Sequence, residues 1–97
     1  MKQNKLVIIT PCFNEEEIIE YSIEQLSLLL NIMIMDNLVS ADSMIVFVND
    51  GSNDKTEEII ANHCKTNKNL ALINLSKNYG QQNAILAGLN CFSQQQF

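Results

Sequence analysis

The sequence is poor in basic residues, has an odd number of cysteines and lacks a long hydrophobic run. Its six lysine and arginine residues are scattered and the net charge is −5, which argues against a duplex nucleic-acid partner because phosphate neutralisation needs clustered cations. The three cysteines have neither metal-ligand nor Cys-x-x-Cys spacing, so we expect reduced thiols and a cytoplasmic location. The most apolar stretch, residues 26–35, is far shorter than the roughly 20 residues that cross a bilayer. We therefore expect neither a membrane span nor, at the start of the sequence, a secretory signal.

What is present is a composition typical of one globular domain. The chain has 97 residues, of which 46% are hydrophobic and 18% are charged. This length allows a single core of modest size. No internal repeat is visible, and the only low-complexity tract is the short glutamine run at 94–96. The sequence therefore predicts one domain with a core.

Apolar and amphipathic segments alternate along the chain. The pattern predicts strands at 6–9, 44–48 and 70–75, each followed by a helix. Ile19, Ile23, Leu26, Leu30 and Met33 recur at helical spacing and predict the buried stripe of a first helix that ends before Asp36. The second helix should face inward with Ile59, Ile60, His63 and Cys64, and the third should run from Gln81 to about Phe92. This order predicts an α/β fold, half of a doubly wound parallel sheet with right-handed crossovers.

Two helix starts carry capping signals. Asn14 is a candidate N-cap, with Glu17 in the capping-box position and Glu15 and Glu16 in the first turn. Asp54 or Ser52 is expected to cap the second helix.

Two polar loops follow strands and open helices, at residues 10–16 and 49–56. In an open parallel sheet both emerge at the carboxyl edge, where ligands bind in the crevice between strand ends. Asp50 and Asp54 would repel a phosphate there, so a neutral N–H donor such as a uracil or guanine ring suits the site better. Phe13 or Tyr79 could pack on the base, and Glu15 or Asp54 could accept ribose hydroxyls. The glycine-rich phosphate loop of dinucleotide folds is absent after either strand.

Three segments in order carry a family resemblance. They are Pro11-Cys12-Phe13-Asn14-Glu15-Glu16, Val48-Asn49-Asp50-Gly51-Ser52-x-Asp54-x-Thr56 and Ser76-Lys77-Asn78-Tyr79-Gly80-Gln81-Gln82-Asn83-Ala84. Together they resemble the start of family 2 glycosyltransferases of the polyprenyl-phosphate and dolichol-phosphate sugar transferase type. The resemblance covers about residues 5–92.

The resemblance implies a GT-A fold, a UDP-sugar or GDP-sugar donor and inversion at the anomeric carbon, with a polyprenyl phosphate or a glycan as acceptor. Pro11, Phe13, Glu15 and Asp50 match the positions that hold the nucleoside, and we group Ser52 with them. Lys77 and Gly80 lie in the segment that resembles the diphosphate-side loop. No residue of this sequence matches a catalytic or metal-binding position.

The chain also departs from the family pattern. Asn49 stands where an aspartate is usual, and the aspartate-any-aspartate motif that binds Mg²⁺ or Mn²⁺ is missing, as are the catalytic base and the acceptor site. We therefore expect residues 1–97 to be the N-terminal nucleotide-binding half of a GT-A domain, truncated before the metal motif and inactive by itself. The cation would belong to the full-length enzyme, as would any contact with the cytoplasmic face of a membrane. The cut sheet edge predicts self-association.

Other interpretations stay open at this point. The chain could be an inactive nucleotide-sugar-binding module, a signalling receiver phosphorylated at Asp50, or a structural interaction domain. The loop at 49–56 could be an ordinary strand-to-helix turn, in which Gly51 supplies backbone freedom. His63 and Cys12 are expected to be packing residues and not catalysts.

Overall fold

The computed structural model describes residues 4–75, in which strands and helices alternate. The elements are β1 (Val7–Cys12), α1 (Ile19–Met35), β2 (Met44–Asn49), α2 (Thr56–Cys64) and β3 (Leu70–Asn74). Their order agrees with the sequence pattern. The expected third helix, 81–92, and the loop containing Lys77, Tyr79 and Gly80 lie outside the described residues.

The three strands form one parallel sheet in the order β1-β2-β3. Val7 pairs with Met44 and Cys12 with Asn49, while Ile45 pairs with Leu70 and Asn49 with Asn74. The predicted α/β class with a parallel sheet of three strands is confirmed. Because the strands are parallel and in register, their carboxyl ends meet along a single edge.

The core lies on both faces of the central strand. Ile45 and Phe47 face α1 and α2 and are fully buried together with Ile23 and Ile60. Val46 and Val48 point to the opposite face and are also fully buried. A strand that is apolar at every position therefore reflects burial on both faces, as the sequence predicted.

β1 is longer than predicted. Pro11 and Cys12 were expected in the loop, but both belong to the strand and pair with Val48 and Asn49. Proline is compatible with this place because β1 is an edge strand of the described sheet, where a missing N–H costs no ladder bond on the outer side.

α1 begins later than predicted. Its first residue is Ile19, and Asn14 does not cap it. Asn14 has a positive φ of 49°, a left-handed conformation that asparagine tolerates better than most residues. Residues 15–18 form a turn in which the N–H groups of Ile18 and Ile19 both donate to the carbonyl of Glu15. The expected first-turn position of residues 15–17 was therefore wrong, whereas the buried stripe through Ile19, Ile23 and Leu30 is confirmed.

The outward face of α1 carries exposed apolar side chains among polar ones. Tyr21, Leu28, Ile32 and Met35, with Leu29 at the border, are exposed large hydrophobic side chains; we call these five residues the outer stripe. At about 100° per residue, the first four lie within roughly 60° of one another, on the side opposite the buried stripe. In residues 4–75 no helix combines the length and hydropathy needed to cross a bilayer.

Candidate functional site

The carboxyl edge of the sheet brings the first two polar loops together. The N–H of Asp50, directly after β2, donates to the carbonyl of Cys12 at the end of β1 over 2.9 Å. Asp50 is only 3% exposed. This contact places Asp50 beside the start of the loop that carries Phe13 and Glu15.

A set of four hydrogen bonds then joins the two loops, and we call it the clasp. The N–H groups of the first loop donate across the gap, from Asn14 to Ser52 Oγ (2.9 Å), from Glu15 to Thr56 Oγ1 (2.8 Å) and from Glu16 to Asp54 Oδ2 (3.2 Å). In return, Asn14 Oδ1 accepts from the N–H of Asn53 at 2.8 Å. The backbone of one loop is therefore held by side chains of the other.

Thr56 is the buried centre of the clasp. It is fully buried, and its hydroxyl accepts from Glu15 while donating to Asp54 Oδ1 at 2.5 Å. The N–H of Thr56 donates to the same carboxylate oxygen at 2.9 Å. The N-cap of α2 is Lys55, which makes no side-chain capping hydrogen bond, so the cap expected at Asp54 or Ser52 was wrong. Asp54 instead contacts Thr56, the first residue of α2, and the Ser52 hydroxyl accepts from the other loop.

Asn49 ties the turn after β2 to the end of β3. Its side chain donates to Asn74 Oδ1 at 3.0 Å and accepts from the N–H of Ser52 at 3.2 Å. Asn74 in turn donates to Glu57 at 3.1 Å. An amide at position 49 can both donate and accept, which a carboxylate cannot. The residue that departs from the usual family pattern is thus matched to its neighbours, and the turn it anchors uses the positive φ of Gly51, 76°.

The predicted site residues separate into two groups. Pro11, Phe13, Glu15, Asp50 and Ser52 all lie at the carboxyl edge or in the two loops joined by the clasp. Lys77 and Gly80, with Tyr79, lie outside the described residues. Phe13 is 39% exposed, so its ring is accessible at this edge and is not a core aromatic.

The pKa of the Cys12 thiol reflects burial and a negative electrostatic potential at the carboxyl edge. Burial, together with the smaller effect of the negative charges of Glu15, Asp54 and Asp50, raises the pKa of its thiol to about 12. The thiol donates to the carbonyl of Val48 at 3.6 Å. Cys12 is therefore a neutral packing residue, as expected from the sequence, and it lies in a negative potential.

Asp54 titrates differently because of the clasp. Partial desolvation acts to raise its pKa, but hydrogen bonds from the Thr56 hydroxyl and from the N–H groups of Thr56 and Glu16 outweigh desolvation and lower the pKa below its ordinary value. The hydrogen bonds of the clasp therefore stabilise the charged form of the Asp54 carboxylate.

Two surface depressions flank the sheet. One of about 270 Å³ lies at the carboxyl edge beside the clasp and is lined by Asn14, Glu15, Glu16, Glu17, Ile18 and Asp54. A larger one, about 360 Å³, lies at the opposite edge between Lys5 and Lys68. The candidate site lies at the carboxyl edge because strand ends and helix starts converge there; of its residues, Glu15 lines the smaller depression, whereas Asp50 and Phe13 do not.

The described residues provide no metal centre. Residues 4–75 contain no group of three or more His, Cys, Asp or Glu side chains arranged to hold a metal ion. The Mg²⁺ or Mn²⁺ that the resemblance implies for a full-length enzyme therefore has no ligand set in this part of the chain.

Some contacts had no sequence signal. The partners in the clasp are 38–41 residues apart, and only the Asp-x-Thr spacing at 54–56 hinted at a local contact. His63 Nε2 lies 2.8 Å from Glu20 Oε1, so it joins α2 to α1 and has a packing role.

Comparison with known proteins identifies the family. The model for glycosyl transferase family 2 matches residues 7–97. The chain is 42% identical over 92 residues to the uncharacterized glycosyltransferase YkoT of Bacillus subtilis, covering 93% of this chain and 27% of that protein. It is 33% identical over 86 residues to a prophage bactoprenol glucosyl transferase homolog of Escherichia coli (89% and 26%). It is also 36% identical over 84 residues to the dolichyl-phosphate beta-glucosyltransferase ALG5A of Trichomonas vaginalis (86% and 25%).

The chain spans about a quarter of the length of these curated relatives. The family match, in contrast, covers nearly the whole chain, and it includes the clasp, Asp50 and the sheet. The protein thus belongs to glycosyl transferase family 2, a family of transferases.

Proposed function

We propose that this chain supplies the nucleoside-binding part of an inverting glycosyltransferase that uses a UDP-sugar or GDP-sugar. Asp50 carries the proposal, because it is a nearly buried carboxylate at the end of the central strand, next to the loop of Phe13 and Glu15. A carboxylate accepts hydrogen bonds only, and the ring N–H groups of uracil and guanine are donors.

The charge of the edge favours the nucleoside over the diphosphate as the ligand held here. Glu15, Asp50 and Asp54 all raise the pKa of Cys12, and the same negative potential would repel phosphate oxygens. In the proposed complex the base lies against Asp50 and Phe13, and Glu15 accepts a ribose hydroxyl. Pro11 and Ser52 shape the floor and the rim. The family resemblance assigns the diphosphate to the segment of Lys77 and Gly80, which lies outside the described residues.

Transfer itself is proposed for a longer protein. Relatives named for bactoprenol, undecaprenyl-phosphate and dolichyl-phosphate substrates support a polyprenyl phosphate as acceptor, with a glycan as the alternative. We propose that the 97-residue chain binds nucleotide without transferring sugar, since the sequence contains no aspartate-any-aspartate motif. We also propose a divalent cation as cofactor of the longer enzyme and a cytoplasmic location for the nucleotide-binding part.

Calorimetry with UDP and GDP tests the proposal. We expect one of the two to bind, and Asp50→Ala to weaken it by about 10- to 100-fold, because a hydrogen bond to a charged group contributes roughly 1.5–3 kcal/mol. Asp50→Asn should lie between the two, since its amide oxygen still accepts but carries no charge.

The matched control is Asp36→Ala, which removes an exposed carboxylate at the far end of α1. Its affinity should equal that of the unmodified chain. Far-UV circular dichroism establishes that the Asp50 variants fold. Absence of binding by either nucleotide, or equal affinity in a folded Asp50→Ala chain, would contradict the proposal. Phosphorylation of Asp50 by a small phosphoryl donor would instead support the receiver interpretation.

A further inference from the structure

The outer stripe of α1 is the largest apolar feature that the proposed function leaves unexplained. Its five side chains are between 48% and 79% exposed, although a helix on the surface of a globular domain normally presents polar residues to water. Scattered exposed hydrophobic residues are ordinary, but four of these five, Leu28, Leu29, Ile32 and Met35, cluster within about two turns of one helix. The exposed Glu24 and Gln25 separate this cluster from Tyr21. A cluster of this kind indicates an interaction surface. We propose that the outer stripe binds the outer stripe of a second copy of this chain, in an antiparallel helix pair.

The size of the stripe fits such a pair. Taking roughly 150–200 Å² for each large side chain when fully exposed, the five residues at their exposed fractions present on the order of 450–600 Å² of apolar surface. A standard interface buries about 800 Å² per partner, and about 65% of a homodimer interface is apolar, which is roughly 500 Å². The stripe therefore supplies the apolar part of an ordinary dimer interface and leaves the rim to neighbouring polar residues.

The charges around the stripe argue against an anionic membrane as the partner. Helices that lie on anionic membranes carry lysine or arginine on their polar face, whereas α1 contains no basic residue and includes Glu20 and Glu24. Glu16 and Glu17 precede it and Asp36 follows it. This acidic border would be repelled by anionic lipid. In a pair of stripes the same charges lie at the solvated rim, where salt screens their mutual repulsion.

The order of residues along the stripe selects an antiparallel arrangement. A two-fold axis near Leu28 places Tyr21 of one copy opposite Met35 of the other, a favourable contact between an aromatic ring and a sulfur atom. The same axis separates the two Glu24 carboxylates by about 12 Å along the helices, beyond the Debye length of about 10 Å at moderate salt. A parallel pair would bring these like charges face to face.

Sedimentation equilibrium of the 97-residue chain over a wide concentration range tests the proposal, which does not depend on nucleotide binding. We expect twice the monomer mass of 11.0 kDa at high concentration. Leu28→Glu should weaken the dimer by about tenfold or more, because it buries two facing carboxylates near the axis. Asn62→Glu is the matched control, since it adds the same charge at an exposed position of α2 and should leave the dimer unchanged.

Met35→Glu, at the most exposed position of the stripe, provides a second variant if Leu28→Glu does not fold, and circular dichroism separates the two cases. A chain that is monomeric at every concentration would overturn the proposal. So would a dimer that neither variant weakens, which would point to the sheet edge instead, or flotation of the chain with lipid vesicles that either substitution abolishes.

Discussion

Replacing Thr56 by valine removes the centre of the clasp while keeping the shape of the side chain. Valine fills nearly the same volume, so the buried site stays packed, but the N–H of Glu15 loses its acceptor and Asp54 loses a hydroxyl donor. The substitution therefore tests the hydrogen bonds separately from the packing.

The expected loss in the free energy of unfolding follows from the Glu15 N–H, which the substitution leaves without an acceptor. A buried donor without an acceptor costs about 1–3 kcal/mol, so we expect Thr56→Val to lower the free energy of unfolding by about 2 kcal/mol. For a domain of 60–100 residues, each kcal/mol shifts Tm by roughly 4–8 °C. Thr56→Ser keeps the hydroxyl and loses one buried methyl group, at about 1 kcal/mol. Thr56→Val should thus lower the free energy of unfolding more than Thr56→Ser does, although packing alone would predict the reverse order.

Urea unfolding followed by circular dichroism measures these differences, and the same variants can be titrated with UDP or GDP. Thr66→Val is the control, because Thr66 is exposed and its substitution should change the free energy of unfolding by less than about 0.5 kcal/mol. The explanation is contradicted if Thr56→Val lowers the free energy of unfolding no more than Thr56→Ser does. It is also contradicted if Thr56→Val lowers that free energy no more than Thr66→Val does, since the clasp then does not hold the two loops together. We expect nucleotide affinity to follow the same order, with serine closest to the unmodified chain.

Three further predictions concern single side chains. The lowered pKa of Asp54 means that its contribution to stability is complete above the pKa of an unfolded aspartate and is lost as the pH falls through the lower folded value. Asp54→Asn should therefore reduce the acid dependence of urea unfolding, and an unchanged profile would contradict the assignment. At neutral pH, iodoacetamide should label Cys12 far more slowly than Cys64 in the folded chain, since both pKa values are raised but that of Cys12 reaches about 12. Peptide mass spectrometry measures the two rates, and equal rates would argue against the burial of Cys12. Asn49→Asp should lower the free energy of unfolding by about 1–2 kcal/mol, because the donor to Asn74 is lost and a charge is added in a buried position. Asn53→Asp, at an exposed position, is its control in the same urea titration. If both substitutions lower the free energy of unfolding equally, this explanation is wrong.

The sequence predicted the elements whose signals are local. The unbroken apolar run at 44–48 reflects burial on both faces, and the stripe through Ile19, Ile23 and Leu30 reflects the helical period. Both are visible over a few residues, and both appear as expected. The identity of residues at the strand ends also located the carboxyl edge, because every polar loop follows an apolar run.

The errors arose where a distant partner decides the local structure. Pro11 and Cys12 resemble loop residues, but pairing with Val48 and Asn49 extends β1 through them. Asn14 carries a capping signal, yet its side chain and backbone bind Asn53 and Ser52, nearly 40 residues along the chain. A capping rule considers only adjacent residues and cannot weigh these competing partners.

The long sequence separation within the clasp has a consequence for folding. Its hydrogen bonds close a segment of about 40 residues, and forming them before the strands pair would cost loop-closure entropy that four polar contacts do not recover. Once β1 and β2 have paired, the two loops start only a few residues beyond the hydrogen-bonded strand ends, so forming the clasp closes a much shorter segment. We therefore expect the contacts between the two loops at the carboxyl edge to form after the sheet, so that weakening the clasp accelerates unfolding and leaves the rate of folding nearly unchanged.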